Sequence, residues 1–283
     1  MGIAGLARRQ DRLKESASGG WGRTLAPALV LALVAGCTTL PAREARNLLP
    51  PNAPSLDSVL GALCANDAKV QSVRAEGAVT LQTPDSDAVQ RFHNSLIAFR
   101  RPTDLYVAGR ARTGMLAFRM VSVGKAFLFE LPAQGRRDFY PDGEHFVGVG
   151  TRISPETVVT ELFLSEGWAT KSAGKVTMVA FDEVTQTAVL DVKRPKHPRQ
   201  RVEVMGPNWR VTRNDLLMRG RPIATVTKSD YADVGGVWFP NQIAVFLPND
   251  STRMEFAFRH VAINGEIEDR WFSIEELERN AEH

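Results

Sequence analysis

Apolar residues recur at every second position through most of this chain. Leu105 and Val107 alternate with Tyr106 and Ala108, and Leu116, Phe118 and Met120 alternate with Ala117, Arg119 and Val121. Phe127, Phe129 and Leu131 follow, then Phe146 and Val147. Near the carboxyl end Met254, Phe256 and Phe258 alternate with Arg253, Glu255, Ala257 and Arg259, the pattern of a strand with one wet face. Turn-forming pairs punctuate these runs at Thr113-Gly114, Asp142-Gly143, Gly235-Gly236 and Asn249-Asp250. Spacing of roughly ten residues predicts a mainly β domain of about ten or eleven strands, in one curved antiparallel sheet with a few helices.

Two stretches carry the helical period instead. From Ser55 to about Val70, Leu56, Val59, Leu60 and Leu63 fall on one face, with Ser55 as cap and Asp57 at the positive end. Cys64 lies beside that stripe and reads as a small core residue. Ser154-Pro155-Glu156 opens a second helix, with Val158, Val159, Leu162 and Phe163 as its apolar face and Gly167 as its end.

The first 36 residues have another character. Arg8, Arg9, Arg12, Lys14 and Arg23 precede eleven uncharged residues, Leu25 to Ala35. That run rises only about 16 Å as a helix, roughly half a bilayer core, so it reads as a secretory signal peptide. Val34-Ala35-Gly36-Cys37 resembles the bacterial lipobox, which implies cleavage before Cys37 and its acylation. Two or three acyl chains anchor a protein stably. In the same resemblance Thr38, where an Asp would retain the protein at the inner membrane, implies sorting to the outer membrane. Residues 37–54 then form an acylated, Pro-rich tether, and 55–283 a single domain expected to be monomeric.

Composition bounds the rest. With 43% hydrophobic and 24% charged residues the chain is neither disordered nor fibrous, and two cysteines exclude a disulfide scaffold. The net charge of +3 resides in residues 1–36; the remainder has 30 basic and 30 acidic side chains. The sequence pI near 9.0 therefore argues for no nucleic-acid partner. One local basic run stands out, Lys193, Arg194, Lys196, Arg199 and Arg201, read as a solvated hairpin or a contact with lipid headgroups. No nucleophile elbow, zinc-protease helix or phosphate loop occurs, and His93, His145, His197, His260 and His283 are isolated in sequence. Ser172-Ala173-Gly174-Lys175 matches an acyl-transfer motif formally but lacks its partner elements. No enzyme, metal site or cofactor is expected.

The order of elements is similar to the LolA/LolB outer-membrane lipoprotein carrier family. The likeness rests on Asp104–Val123, Ser154–Gly167 and Tyr231–Phe246, leading to His260-Val261-Ala262-Ile263-Asn264. It implies a half-open barrel covered by helices, whose concave apolar face takes up acyl chains. The expected face comprises Leu116, Phe118, Met120, Phe127, Phe129 and Phe146. Leu162 and Phe163 of the second helix, with Trp209, Trp238, Phe256 and Phe258, complete it. The turn matching the family's membrane-insertion loop presents Met115. Trp271, Phe272, Ile274 and Leu277 of the carboxyl segment are expected to dock as a last helix or to cover the mouth. The expectation is an outer-membrane-anchored periplasmic lipoprotein that binds acyl chains of a lipid or lipoprotein. The alternative is a non-enzymatic envelope scaffold or sensor with a filled core and a protein partner.

Overall fold

The computed structural model describes residues 49–82, 89–124, 126–140, 147–148, 151–152, 164–170, 174–195, 197–248 and 251–273. The expected signal segment, Cys37 and the first part of the expected tether lie outside the described residues, as do Phe146, Leu162, Phe163 and Lys196.

Helix α1 (Leu56–Asp67) starts as expected: the Ser55 hydroxyl accepts the Ser58 N–H at 3.1 Å and Asp57 occupies the first turn. The meander β1 (Ser72–Gln82), β2 (Gln90–Arg100), β3 (Asp104–Arg110), β4 (Leu116–Val123), β5 (Ala126–Leu131) and β6 (Arg136–Tyr140) follows. A short pair, β7 (Val147–Gly148) and β8 (Thr151–Arg152), stands apart. Helical turn α2 (Glu166–Ala169) precedes a second meander. Its strands are β9 (Lys175–Asp182), β10 (Thr187–Lys193), β11 (Arg199–Met205), β12 (Arg210–Met218), β13 (Arg221–Val234), β14 (Val237–Leu247) and β15 (Thr252–Ile263). Gly167 sits inside α2 and does not end it.

Among the described residues the main sheet has 13 strands, not ten or eleven, in the order β6-β5-β4-β3-β2-β1-β15-β14-β13-β12-β11-β10-β9. The extra strands are the short or mixed-polarity ones that periodicity alone does not separate. All ladders are antiparallel, and β1 pairs with β15 to join the two meanders. The sheet is not closed, since β6 and β9 are its edges. A half-open curved sheet fits this topology. At the seam, both registers of β1 shift around Gly77, where a Cβ would lie 2.0 Å from the Ala257 carbonyl oxygen. Only glycine allows that approach, and such bulges bend a sheet.

The end of β15 explains the sequence pattern that closes on Asn264. The Asn264 side chain accepts the N–H groups of Gln71 and Ser72 at 2.7 and 3.2 Å and donates to the Lys69 carbonyl at 2.7 Å. It fastens the last strand to the entry of the first.

One face of the sheet is continuous across the seam. Ile243, Phe256, Val79 and Phe92 are successive register partners on β14, β15, β1 and β2. Val226, Asn214, Val202, Leu190 and Met178 extend the same face to β9. Over β9–β12 this face is filled: Val59, Leu60 and Leu63 of α1 and Trp168 of α2 pack with Leu190, Val192, Val202 and Val204. The opposite face of β2–β5 carries its own cluster, Ala98, Tyr106, Ala108, Val121 and Leu128. The 3₁₀ turn Asp269–Phe272 covers that cluster, with Trp271 stacked on Tyr106 at 5.9 Å and Arg100 over the Phe272 ring at 4.5 Å. The described part of the carboxyl segment thus seals the outer face and not the mouth. All four described core clusters draw on residues of one compact unit, Arg46–His283, which contains its whole core.

Candidate functional site

Beyond α1, the inner face of β1, β2, β4, β5 and β15 keeps a cavity of about 250 Å³. Val79, Leu81 and Met254 form its floor from two adjacent cross-strand rows. Phe92 and Ala117, Phe118, Met120, Phe129, Leu131 and Ala133 form the walls, and Gln90 is the polar residue among them. The Phe92 and Phe118 rings meet edge to face with centroids 5.0 Å apart, although β3 lies between their strands. Gly109 of β3 permits this, because a Cβ there would stand 2.1 Å from the Phe118 ring. The volume is just below the ~300–1,000 Å³ typical of small-molecule pockets, so it suits an apolar segment and not a bulky polar ligand.

The expected ligand face divides. Phe118, Met120 and Phe129 line the cavity. Phe256 and Phe258 stand behind it in the core, where Phe258 also meets Phe239 at 6.2 Å. Phe127 is buried farther along β5, beside the Tyr140 ring at 6.2 Å. Leu116 departs from the expectation. The β3–β4 register shifts between Gly109 and Arg110, so Leu116 turns to the outer cluster with Tyr106 and Val121. A single bulged residue reverses every alternation beyond it. Val79, Leu81, Phe92 and Met254 join the site without having been singled out, although Val79/Leu81 and Met254 each lie in a period-two run.

Trp209 and Trp238 also lie elsewhere, around a crevice of about 30 Å³ between α1 and β12–β14, room for roughly one water. This is a polar tie. Asn66 exchanges two hydrogen bonds with the Trp238 backbone at 2.8 and 3.2 Å, imitating a strand partner, and Lys69 donates to the Gly236 carbonyl at 2.8 Å. The buried Asp67 carboxylate accepts the Ser165 N–H, and the Tyr231 hydroxyl donates to the Val211 carbonyl at 2.5 Å. Burial raises the Tyr231 phenol above its ordinary range, reinforced by the Asp67 charge. Arg210 lies over the Tyr231 and Trp238 rings at 5.4 and 4.7 Å. The crevice locks α1 to the sheet.

The basic hairpin is partly engaged within the chain. Arg199 grips Asp191 with two hydrogen bonds, Lys193 stands 3.8 Å from the same carboxylate, and Arg194 donates to the Gly167 carbonyl at 2.9 Å. Arg201 is exposed on β11. Met115 projects from the β3–β4 turn and is 67% exposed. Among the described residues no cluster of three or more His, Cys, Asp or Glu could hold a metal ion, and no helix is long and apolar enough to cross a membrane.

No family model and no curated protein matches this sequence. Solved structures do resemble it. An outer membrane lipoprotein-sorting protein domain, so assigned, from Vibrio parahaemolyticus matches with a TM-score of 0.56 at 12% identity, covering 80% of this chain and 100% of that one. A DUF1329 family protein from Desulfovibrio piger matches at 0.54 and 13%, covering 78% and 98%. A LolA superfamily protein from Nitrosomonas europaea matches at 0.53 and 10%, covering 79% and 100%. The chain has a LolA/LolB-like fold.

Proposed function

We propose that this protein is a periplasmic, outer-membrane-anchored lipoprotein that binds acyl chains of a lipid or lipoprotein in the cavity of the β1–β5 half. The carrying observation is the 250 Å³ of apolar space left there while the other half of the same face is filled. A packed interior holds few voids larger than a water molecule, so an apolar cavity of this size is a place for a ligand. The LolA-like and lipoprotein-sorting neighbours support the same class of cargo. Acylated Cys37 would hold the domain at the membrane through its tether, and Met115 would enter the bilayer during transfer. No covalent chemistry is assigned.

Segment Arg46–His283, stripped of lipid, should bind a fluorescent fatty acid with one site, and its untreated form should release lipid identifiable by mass spectrometry. Absence of both overturns the reading. The filled β9–β12 half favours a second reading, an envelope scaffold, which predicts no lipid in either measurement.

A further inference from the structure

We infer that the end of the sheet bearing the cavity is a docking surface for an anionic phospholipid bilayer. In this antiparallel topology the connections β1–β2, β3–β4, β5–β6, β10–β11, β12–β13 and β14–β15 all lie at one end. The cavity lies at that same end, because Leu81, Gln90, Ala117, Leu131 and Met254 are each within a few residues of those connections. Charge is divided between the two ends. The described β3–β4, β10–β11 and β12–β13 connections, residues 111–115, 194–198 and 219–220, hold Arg112, Arg194 and Arg219 and no carboxylate. Arg110, Arg221 and Lys193 flank them. Arg112, Arg219 and Arg221 are exposed and form no ion pair with the described residues.

The opposite end presents the exposed acids Asp182, Glu183 and Asp233 beside the exposed Lys69, while Glu266 and Glu268 follow β15 and Glu268 is paired with Arg270. Sequence places three acids, Asp85, Asp87 and Asp250, in the β1–β2 and β14–β15 connections of the basic end, so the basic character belongs to the three connections named above. Apolar tips accompany those arginines: Met115 is 67% and Met218 51% exposed. Exposed apolar side chains set among arginines suit a headgroup layer, where the cations meet phosphate and the apolar tips reach the acyl boundary. Net neutrality of the domain does not oppose this, since the field falls off within about 10 Å at 0.1 M salt and the acidic end faces away. This surface is independent of what the cavity holds, and it reaches beyond the Lys193–Arg201 hairpin to turns of both meanders.

Flotation of Arg46–His283 with vesicles of phosphatidylglycerol and phosphatidylcholine, against phosphatidylcholine alone, tests it. Binding should require the anionic lipid and weaken as salt rises. Each basic side chain near an anionic surface strengthens binding about fivefold, so R112Q/R219Q/R221Q should lose about 100-fold. D182K/E183K, at the far end, should bind no more weakly than the parent. Equal binding to both vesicle types, or unchanged binding by the triple variant, overturns the assignment. Retention on heparin without vesicle binding also overturns it, by giving the surface to a soluble polyanion. Fatty-acid binding measured on the same triple variant should be unchanged, which separates failure of the docking surface from failure of the cavity.

Discussion

The two meanders share one sheet and one continuous inner face, yet they end in different states. Over β9–β12, the Val and Leu side chains of four strands meet α1 and Trp168, which is 1% exposed, and the layer is complete. Over β1–β5, the same kind of alternation ends in phenylalanines that lean on one another across Gly109 and leave space beneath. Among the described residues, the difference lies in what is laid on top. A short helix is long enough to cover one half of a 13-stranded sheet, and the polar tie at Asn66, Asp67 and Lys69 fixes which half. Stability and ligand capacity are therefore expected to separate along the chain.

The sharpest way to break that separation is to empty the filled half. Trp168→Ala should cost about 3–5 kcal/mol in urea unfolding, because a fully enclosed indole leaves a cavity that its neighbours cannot close. A loss below about 1 kcal/mol would mean that α2 is not part of the core. Next, Gly109→Ala should drive the Phe118 ring off β3 into the cavity, costing about 1–3 kcal/mol and reducing fatty-acid binding. Unchanged binding would show that the ring's position does not shape the site.

Tyr231 probes the tie between α1 and the sheet. Its phenol stays protonated when folded, whereas the unfolded chain ionises near pH 10. Above that pH the unfolded state binds fewer protons, so stability should fall by up to about 1.4 kcal/mol per pH unit. Y231F should reduce this alkaline slope, leaving the part due to Tyr106, whose phenol burial also raises; an unchanged slope would assign it to other groups. The smallest stability effect is expected from Met120→Trp, which fills the cavity at a change of about 1 kcal/mol or less while lowering fatty-acid binding at least tenfold. Full binding in that variant would move the ligand elsewhere.

Much of this arrangement is legible in the sequence for a physical reason. Period-two and period-3.6 patterns report which side of a local element meets the core, so α1, the strand around Phe256 and the Gly235-Gly236 turn are evident before any tertiary contact forms. The resemblance to LolA/LolB carriers followed from the order of those elements, and the fold agrees with it. Asn264 belonged to that resemblance as a letter in a pattern; its three hydrogen bonds supply the cause.

What the sequence by itself determined is the local kind of each element and the alternation of its faces. What only the tertiary structure decided is which apolar residues are covered. Leu116 and Phe118 are two apart and look alike, but the register shift that leaves Ala117 of β4 unpaired opposite Gly109 and Arg110 sends one outward. Trp209, Trp238 and Phe129 are equally aromatic, yet the first two close a water-sized crevice beside α1 and the third walls a cavity. Trp271 and Phe272 read as docking in a last helix or covering the mouth; they dock on the outer face from a 3₁₀ turn, because the path after Asn264 leads there. Burial is a property of neighbours brought together from distant parts of the chain, and no local period records who those neighbours are.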